Sequence, residues 1–295
     1  MRAAELATME QMRDRIDRAL GAHLPAEDAR PAALHRAMRY SIFSGGKRLR
    51  PVLCLAAAEA AGGRAEDALL PAIAVEALHT YTLIHDDLPA MDDDDLRRGR
   101  PTVHKAFGEA TAILAGDALL TLAFEWLAAC RAPAPYAPNR YAAELAQAAG
   151  SRGVIAGQVE DMAAEGASPD ADRVHCIHRH KTAALFRAAV RMGAISAAAD
   201  ADALDALTDY GCTLGLAFQC ADDILNETAA REVLGKGAGT DRARGKLTMP
   251  AVYGLEGARE RARAWAGNAA ERLEGLPGPI ALPAALARYA VERTR

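Results

Sequence analysis

The sequence predicts an all-α fold, and three observations predict it. Apolar residues make up 51% of the 295 positions while aromatics make up 5%, and the apolar side chains are mostly Ala and Leu, which favour helices over strands. Helical periodicity then recurs from end to end. Its interruptions are short: Gly62–Gly63, 131–139 (RAPAPYAPN), 165–172 (EGASPDAD), the glycine-rich 235–245 and 275–283 (GLPGPIALP). None is long or polar enough to be a linker between domains. Roughly ten or more helices in a single domain spanning 1–295 are expected from the length and spacing of the periodic segments.

Taken in order, the first segment, MRAAELATMEQMRDRIDRAL, spreads charge through an amphipathic pattern and lacks the continuous apolar core of a signal peptide. Segment 109–130, EATAILAGDALLTLAFEWLAAC, is apolar nearly all round apart from Glu109, Asp117 and Glu125. Such a helix belongs inside a bundle or a large interface. No later run of 18 residues escapes a charge, so membrane insertion is not expected. The cysteines, Cys54, Cys130, Cys176, Cys212 and Cys220, show no CxxC pairing and sit mostly in apolar helical patterns. A soluble protein of the reducing cytoplasm is expected. A net charge of −4 and a pI near 6.1 offer no field for nucleic acid or an anionic membrane.

The chemistry lies in two acidic motifs. LIHDDLPAMD (83–92) and FQCADDILN (218–226) each place an Asp pair on an apolar helix, Asp86–Asp87 and Asp222–Asp223. A buried carboxylate is costly unless paired or bound to a metal, and neighbouring ones also repel. Two such pairs call for a cation, and all-oxygen ligands point to Mg²⁺ with substrate phosphate oxygens completing its shell. Pro89 disfavours helix at Leu88, so the first helix ends near there and Asp92 returns from the turn. His79, Leu83 and Asp86 fall at i, i+4 and i+7, on one face, with His79 roughly 10 Å deeper by the helical rise. His85 reads as a packing residue, and Asp93, Asp94 and Asp95 as a solvated loop.

A basic counterpart accompanies these carboxylates. SGGKRLRP (44–51) supplies Lys47, Arg48 and Arg50 after a Gly45–Gly46 turn small enough for a phosphate to approach the backbone, without the spacing of a nucleotide P-loop. Arg97 and Arg98 follow the first acidic motif, and arginine suits bidentate phosphate capture. HRHKTAALF places Lys181 and Thr182 on a helix, and LGKGAGTDRARGKLTMP (234–250) offers Lys236 and Lys246.

In this order the motifs resemble those of the short-chain trans-prenyl diphosphate synthases, most nearly the bacterial farnesyl type, from about residue 40 to 250. The resemblance implies an isoprenoid synthase fold with helices around a deep central cavity, a homodimer, three Mg²⁺ per site, and head-to-tail condensation of isopentenyl diphosphate with dimethylallyl or geranyl diphosphate. It implies that Asp86 and Asp92 hold two metals with Asp87 supporting, and that Asp222, beside Asp223, holds the third. Gly46, Lys47, Arg50, His79 and Arg98 resemble the isopentenyl diphosphate site. Arg97, Lys181, Lys246 and the nearby Lys236 resemble the allylic one, and Thr182 and Gln219 residues beside the reacting carbons.

In that family bulky residues just upstream of the first Asp pair stop elongation. Tyr81, five residues before Asp86, and the adjacent Thr82 take that place here, and LPAM between Asp87 and Asp92 resembles the farnesyl type, so a fifteen-carbon product is expected. Asn226 departs from the pattern, standing where the second motif usually ends in Asp. Geranyl or geranylgeranyl diphosphate synthase and a non-catalytic regulatory subunit of a prenyl synthase are the alternatives. A terpene cyclase is disfavoured, because Asn226 and Ala230 stand where its second motif carries Ser or Thr and Glu.

Overall fold

The computed structural model describes residues 1–232 and 245–292, and the apolar periodicity emerges there as helices in chain order. They are α1 (Ala3–His23), α2 (Ala32–Ile42), α3 (Leu49–Ala60), α4 (Leu69–Asp86), α5 (Val103–Phe107), α6 (Glu109–Ala129), α7 (Arg140–Ala149), α8 (Val154–Ala163), α9 (Ala171–Ile177), α10 (Ala184–Ser196), α11 (Ala201–Glu232), α12 (Met249–Glu271) and α13 (Ala281–Glu292). A two-stranded ribbon, β1 (Leu96–Arg97) and β2 (Arg100–Pro101), pairs antiparallel between α4 and α5. The all-α expectation holds, with this ribbon as the exception among the described residues.

Local chemistry explains the ends that matter. Pro51 sits in the first turn of α3, where its missing N–H breaks no helical bond. Thr248 caps α12, its hydroxyl accepting from the Ala251 N–H at 3.3 Å, and Asp170 caps α9 through the Arg173 N–H at 3.1 Å. Between α9 and α10 the chain runs as a π-helical turn, His178–Ala183. Gly157 of α8 lies against that turn so closely that a Cβ on it would stand 2.1 Å from the Lys181 backbone nitrogen. Only glycine permits that approach.

The core is Ala- and Leu-rich. Side chains of α3, α4 and α10, among them Leu53, Leu55, Ile73, Leu78, Phe186 and Ile195, are fully or nearly fully buried, and Tyr210 of α11 donates to the Pro283 carbonyl at 2.8 Å. Arg48 ties three elements to it. Its Nε donates to Asp17 Oδ1 at 2.8 Å, Nη1 to Glu76 Oε1 at 2.9 Å and Nη2 to the Ile42 carbonyl at 2.7 Å. Of the run Lys47–Arg50 this one arginine therefore holds α1, α2 and α4 together, and Lys47 and Arg50 remain for the cavity.

The long apolar helix α6 packs against α4 and α2. By length and composition alone it is long and apolar enough to cross a membrane, a test that core helices also pass. It leaves Ile113 and Leu114 exposed at 43% and 58%.

Candidate active site

A cavity of about 860 Å³ opens among α3, α4, α8, α10 and α11 and the ribbon. Its acidic lining is Asp86, Glu76 and Asp222, and its basic lining includes Lys47, Arg50, Arg97, Arg98 and Lys181. Gly46, His79, Thr82, Thr182 and Gln219 line it as well. Leu83, Leu185, Val154 and Phe218 form apolar parts of its wall. Residues drawn from both halves of the sequence thus meet in one chamber.

On α4 the helix stops where Pro89 requires. The Asp92 N–H donates to the Asp86 carbonyl at 2.8 Å and the Met91 N–H to the Leu88 carbonyl at 2.8 Å, so the turn brings Asp92 back beside Asp86. Burial pushes the Asp86 carboxyl up to about 6, against the pull of Lys181 and with Asp92 adding to the rise. Asp87 points elsewhere: only 3% exposed, it takes Arg97 Nε at 2.7 and 2.9 Å on its two oxygens and Arg97 Nη2 at 2.6 Å. That bidentate clamp sets Arg97 in the wall. Asp87 acts on the site through Arg97.

The ribbon aims the next arginine. Arg98 and Gly99, both at positive φ (54° and 76°), make the two-residue turn between β1 and β2, the backbone sign of a type I′ hairpin. Arg98 thereby reaches the turn before α3, where its Nη1 donates to the Gly45 carbonyl. A Cβ at Gly46, itself at φ +129°, would stand 2.6 Å from that nitrogen. Glycine there takes the positive φ and leaves room for the guanidinium, where the sequence suggests room for a phosphate.

Deeper in, Arg50 Nη1 donates to His79 Nε2 at 3.0 Å and the guanidinium stacks 4.8 Å from the Phe186 ring centre. Burial, followed by the charges of Arg50, Arg98 and Arg97, drives His79 well below its usual range, so its ring is neutral and Nε2 accepts. Burial also pushes Arg50 down to about 10, still a cation. Its Nε has no hydrogen-bond partner. Lys47 Nζ lies 5.3 Å over the Tyr289 ring of α13. This wall is positively charged and incompletely satisfied, which suits an anion.

On α11, neighbouring aspartates divide. Asp222 lines the cavity. Asp223 is 5% exposed and accepts from Gln219 Nε2 at 3.0 Å and from the Met249 N–H at 2.8 Å, with His178 Nε2 at 3.1 Å. It is a buried anchor between α11, the π-helical turn and α12. Gln219, oriented by it, accepts from the Thr182 hydroxyl at 2.7 Å. Asn226 lies one helical turn beyond Asp222.

The residue that the sequence reading missed is Asp161. Lys181 Nζ lies 2.7 Å from its Oδ2, and Lys246 Nζ lies 3.5 Å from the same oxygen and 3.1 Å from Asp92 Oδ1. Burial alone would raise the Asp161 carboxyl; Lys181 and then Lys246 overcome that and hold it below the ordinary carboxylate range. Its signal was available on α8. Val154, Gly157, Gln158 and Asp161 fall at i, i+3, i+4 and i+7 on one face, while Ile155, Val159 and Met162 (exposed at 44%, 59% and 41%) share the other. A helix whose polar face turns inward holds chemistry there.

Tyr81 meets the His85 ring edge-on, 4.9 Å between centres, and His85 Nε2 sits 3.1 Å from the Ile113 carbonyl of α6. His85 is a packing residue, as expected. Thr82, its hydroxyl donating to the His79 carbonyl at 2.8 Å, lines the cavity beside Leu83. Lys236 lies outside the described residues.

The donor set fits Mg²⁺. Asp86 and Asp222 offer carboxylates from facing helices and Asp92 offers one from the turn, with no sulfur or imidazole among them. Carboxylates face cations across one cavity on an all-helical frame, an arrangement that suits metal-held diphosphates. The chain belongs to the polyprenyl synthetase family, which it matches over residues 31–275. It is 47% identical to the chloroplastic geranylgeranyl pyrophosphate synthase 11 of Arabidopsis thaliana over 280 residues, 93% of this chain and 78% of the plant protein. The chloroplastic geranylgeranyl pyrophosphate synthase of Capsicum annuum is 47% identical over 89% of this chain and 72% of its own. Among solved structures, an FPP/GFPP synthase from Zymomonas mobilis superposes with a TM-score of 0.86 at 37% identity, covering 99% of this chain and 100% of that one. A geranylgeranyl pyrophosphate synthetase from Pyrococcus horikoshii gives 0.89 at 31% identity, 98% of each chain being covered.

Proposed function

We propose that the chain condenses isopentenyl diphosphate with an allylic diphosphate, head to tail, and releases a twenty-carbon diphosphate, with three Mg²⁺ held by Asp86, Asp92 and Asp222. The observation that carries the reaction is that both acidic helices and the basic wall line one cavity. Bound there, Mg²⁺ supplies positive charge to the oxygens of the departing diphosphate. Lys181 and Lys246, already fixed by Asp161, hold that diphosphate beside the acidic mouth, with Arg97 next to them. Lys47, Arg50, His79 and Arg98 hold isopentenyl diphosphate. As the allylic carbon–oxygen bond breaks, Leu83, Leu185 and Phe218 keep water from the cation. The double bond of isopentenyl diphosphate then forms the new carbon–carbon bond. The surplus proton leaves to an oxygen of the released diphosphate, and no side-chain base is needed.

Twenty carbons is supported by the curated relatives, which are named geranylgeranyl pyrophosphate synthases. Farnesyl diphosphate is a second reading, favoured by the bulky Tyr81 five residues before Asp86 and by the FPP/GFPP synthase among the solved structures. Incubation with isopentenyl diphosphate, dimethylallyl or geranyl diphosphate and Mg²⁺, followed by chromatography of the dephosphorylated products, separates them. A C20 alcohol is expected; a C15 alcohol alone supports the farnesyl reading, and no product at all supports the regulatory subunit. Tyr81→Ala is expected to move the product distribution to longer chains. An unchanged distribution would place the floor of the elongation cavity elsewhere.

A cytoplasmic homodimer completes the proposal. The exposed Ile113 and Leu114 of α6 and Ile155, Val159 and Met162 of α8 support it, being apolar groups that a partner copy would cover. Leu114→Glu is expected to convert a dimer to monomers in analytical ultracentrifugation; a wild-type monomer at micromolar concentration would dispose of the idea. The five thiols, all free, suit a reducing compartment.

A further inference from the structure

Asp93 and Asp95 are not among the described residues that line the cavity. One carboxylate oxygen of each lies, with a ring nitrogen of His104, in a group whose atoms are all within 4.8 Å of one another. Two exposed aspartates on a loop would ordinarily be solvated and nothing more. His104 is what distinguishes this pair. It stands on α5, 6% exposed, and its Nδ1 is engaged at 3.1 Å with the Thr102 hydroxyl. Its Nε2 is buried and has no hydrogen-bond partner. A buried polar atom left unpaired is unfavourable, and in native proteins such an atom calls for an explanation such as an ion.

We propose that Asp93, Asp95 and His104 form a divalent-cation site separate from the Mg²⁺ cluster, with the His104 imidazole as its buried ligand. Two carboxylates and one imidazole suit Zn²⁺, Mn²⁺ or Co²⁺, whereas Mg²⁺ favours oxygen alone. Thr102 holds the imidazole through Nδ1, the kind of partner that orients a ligating histidine. Asp95 also pairs with Lys105 Nζ at 2.8 Å, but both groups are exposed and such a pair contributes little. The cation takes the other oxygen of Asp95 or displaces the lysine. The loop so fixed begins next to Asp92 and leads into the ribbon that carries Arg97 and Arg98. A cation here staples the α4–β1 loop to α5 and holds the mouth of the active site in place.

Equilibrium dialysis against Zn²⁺ with Mg²⁺ in excess, so that the oxygen-only site is occupied, tests this without reference to activity. One Zn²⁺ per chain is expected, with a shift of the His104 imidazole nitrogen resonance on binding. Asp93→Asn, an exposed change that leaves folding intact, is expected to weaken Zn²⁺ at least ~10-fold, since even outer-shell partners contribute that much, and His104→Gln to abolish it. Equal affinity in wild type and Asp93→Asn overturns the site, as does the absence of bound Zn²⁺. Loss of Zn²⁺ in Asp86→Asn with retention in Asp93→Asn puts the metal in the cavity and overturns it too.

Discussion

Asp222→Ala is expected to lower kcat by about 10³-fold, the scale on which removing one preorganised electrostatic contact acts, while the melting temperature stays at the wild-type value. The reason is position. Asp222 lines the cavity, where the proposed reaction uses its charge to hold cations against the departing diphosphate, and it packs little of the core. Asp223→Ala is expected to do the reverse. It removes a carboxylate that serves Gln219, the Met249 N–H and His178 at once, and breaking a buried charged network of this kind costs about 3–5 kcal/mol. Its loss of activity follows its loss of fold and is recovered in part at low temperature. Asn226→Asp, which restores a charge one turn beyond Asp222, is expected to change kcat modestly. Kinetics and calorimetry on the three variants decide: a melting drop in Asp222→Ala as large as in Asp223→Ala, or equal kcat losses in Asp222→Ala and Asn226→Asp, rejects this division of labour.

That division marks the limit of what the linear sequence carries. Asp222 and Asp223 are chemically identical neighbours, and 100° of helical rotation separates a cavity carboxylate from a buried anchor. Composition and periodicity suffice for the long helices, because Ala and Leu repeat along them. The end of α4 and the return of Asp92 are equally legible, since the restriction before Pro89 acts over neighbouring residues. The ribbon escapes notice for the opposite reason: its strands are two residues long, and its turn needs Arg98 itself at positive φ beside Gly99, a place where asparagine or glycine would announce a hairpin. The positive charge of Arg97, Lys181 and Lys246 is readable. Their partners Asp87 and Asp161 are not, as these contacts join residues 10, 20 and 85 positions apart. The same blindness covers Arg48, which reads as one more cation of a basic run and proves to be a buried strut.

Asp161 is the partner whose removal separates holding a lysine from merely burying one. Its Oδ2 is shared by Lys181 and Lys246, and Lys246 in turn reaches Asp92, so one carboxylate sets the spacing of two ammonium groups at the acidic mouth. In Asp161→Ala both lysines lose that reference while keeping their charge. Displaced by an ångström or so, a clamp of this kind costs about 10²-fold, and the loss is expected in kcat/KM for the allylic diphosphate. KM for isopentenyl diphosphate is expected to hold, because Arg50 pairs with His79 and Arg98 with the Gly45–Gly46 turn rather than with Asp161. Asp161→Asn retains an acceptor of the same shape and is expected to fall between wild type and Asp161→Ala. Steady-state kinetics with each substrate varied in turn reads the outcome. A rise confined to KM for isopentenyl diphosphate would assign the two lysines to the other substrate, and a variant that melts early with both kinetic constants intact would leave Asp161 as a structural acceptor only.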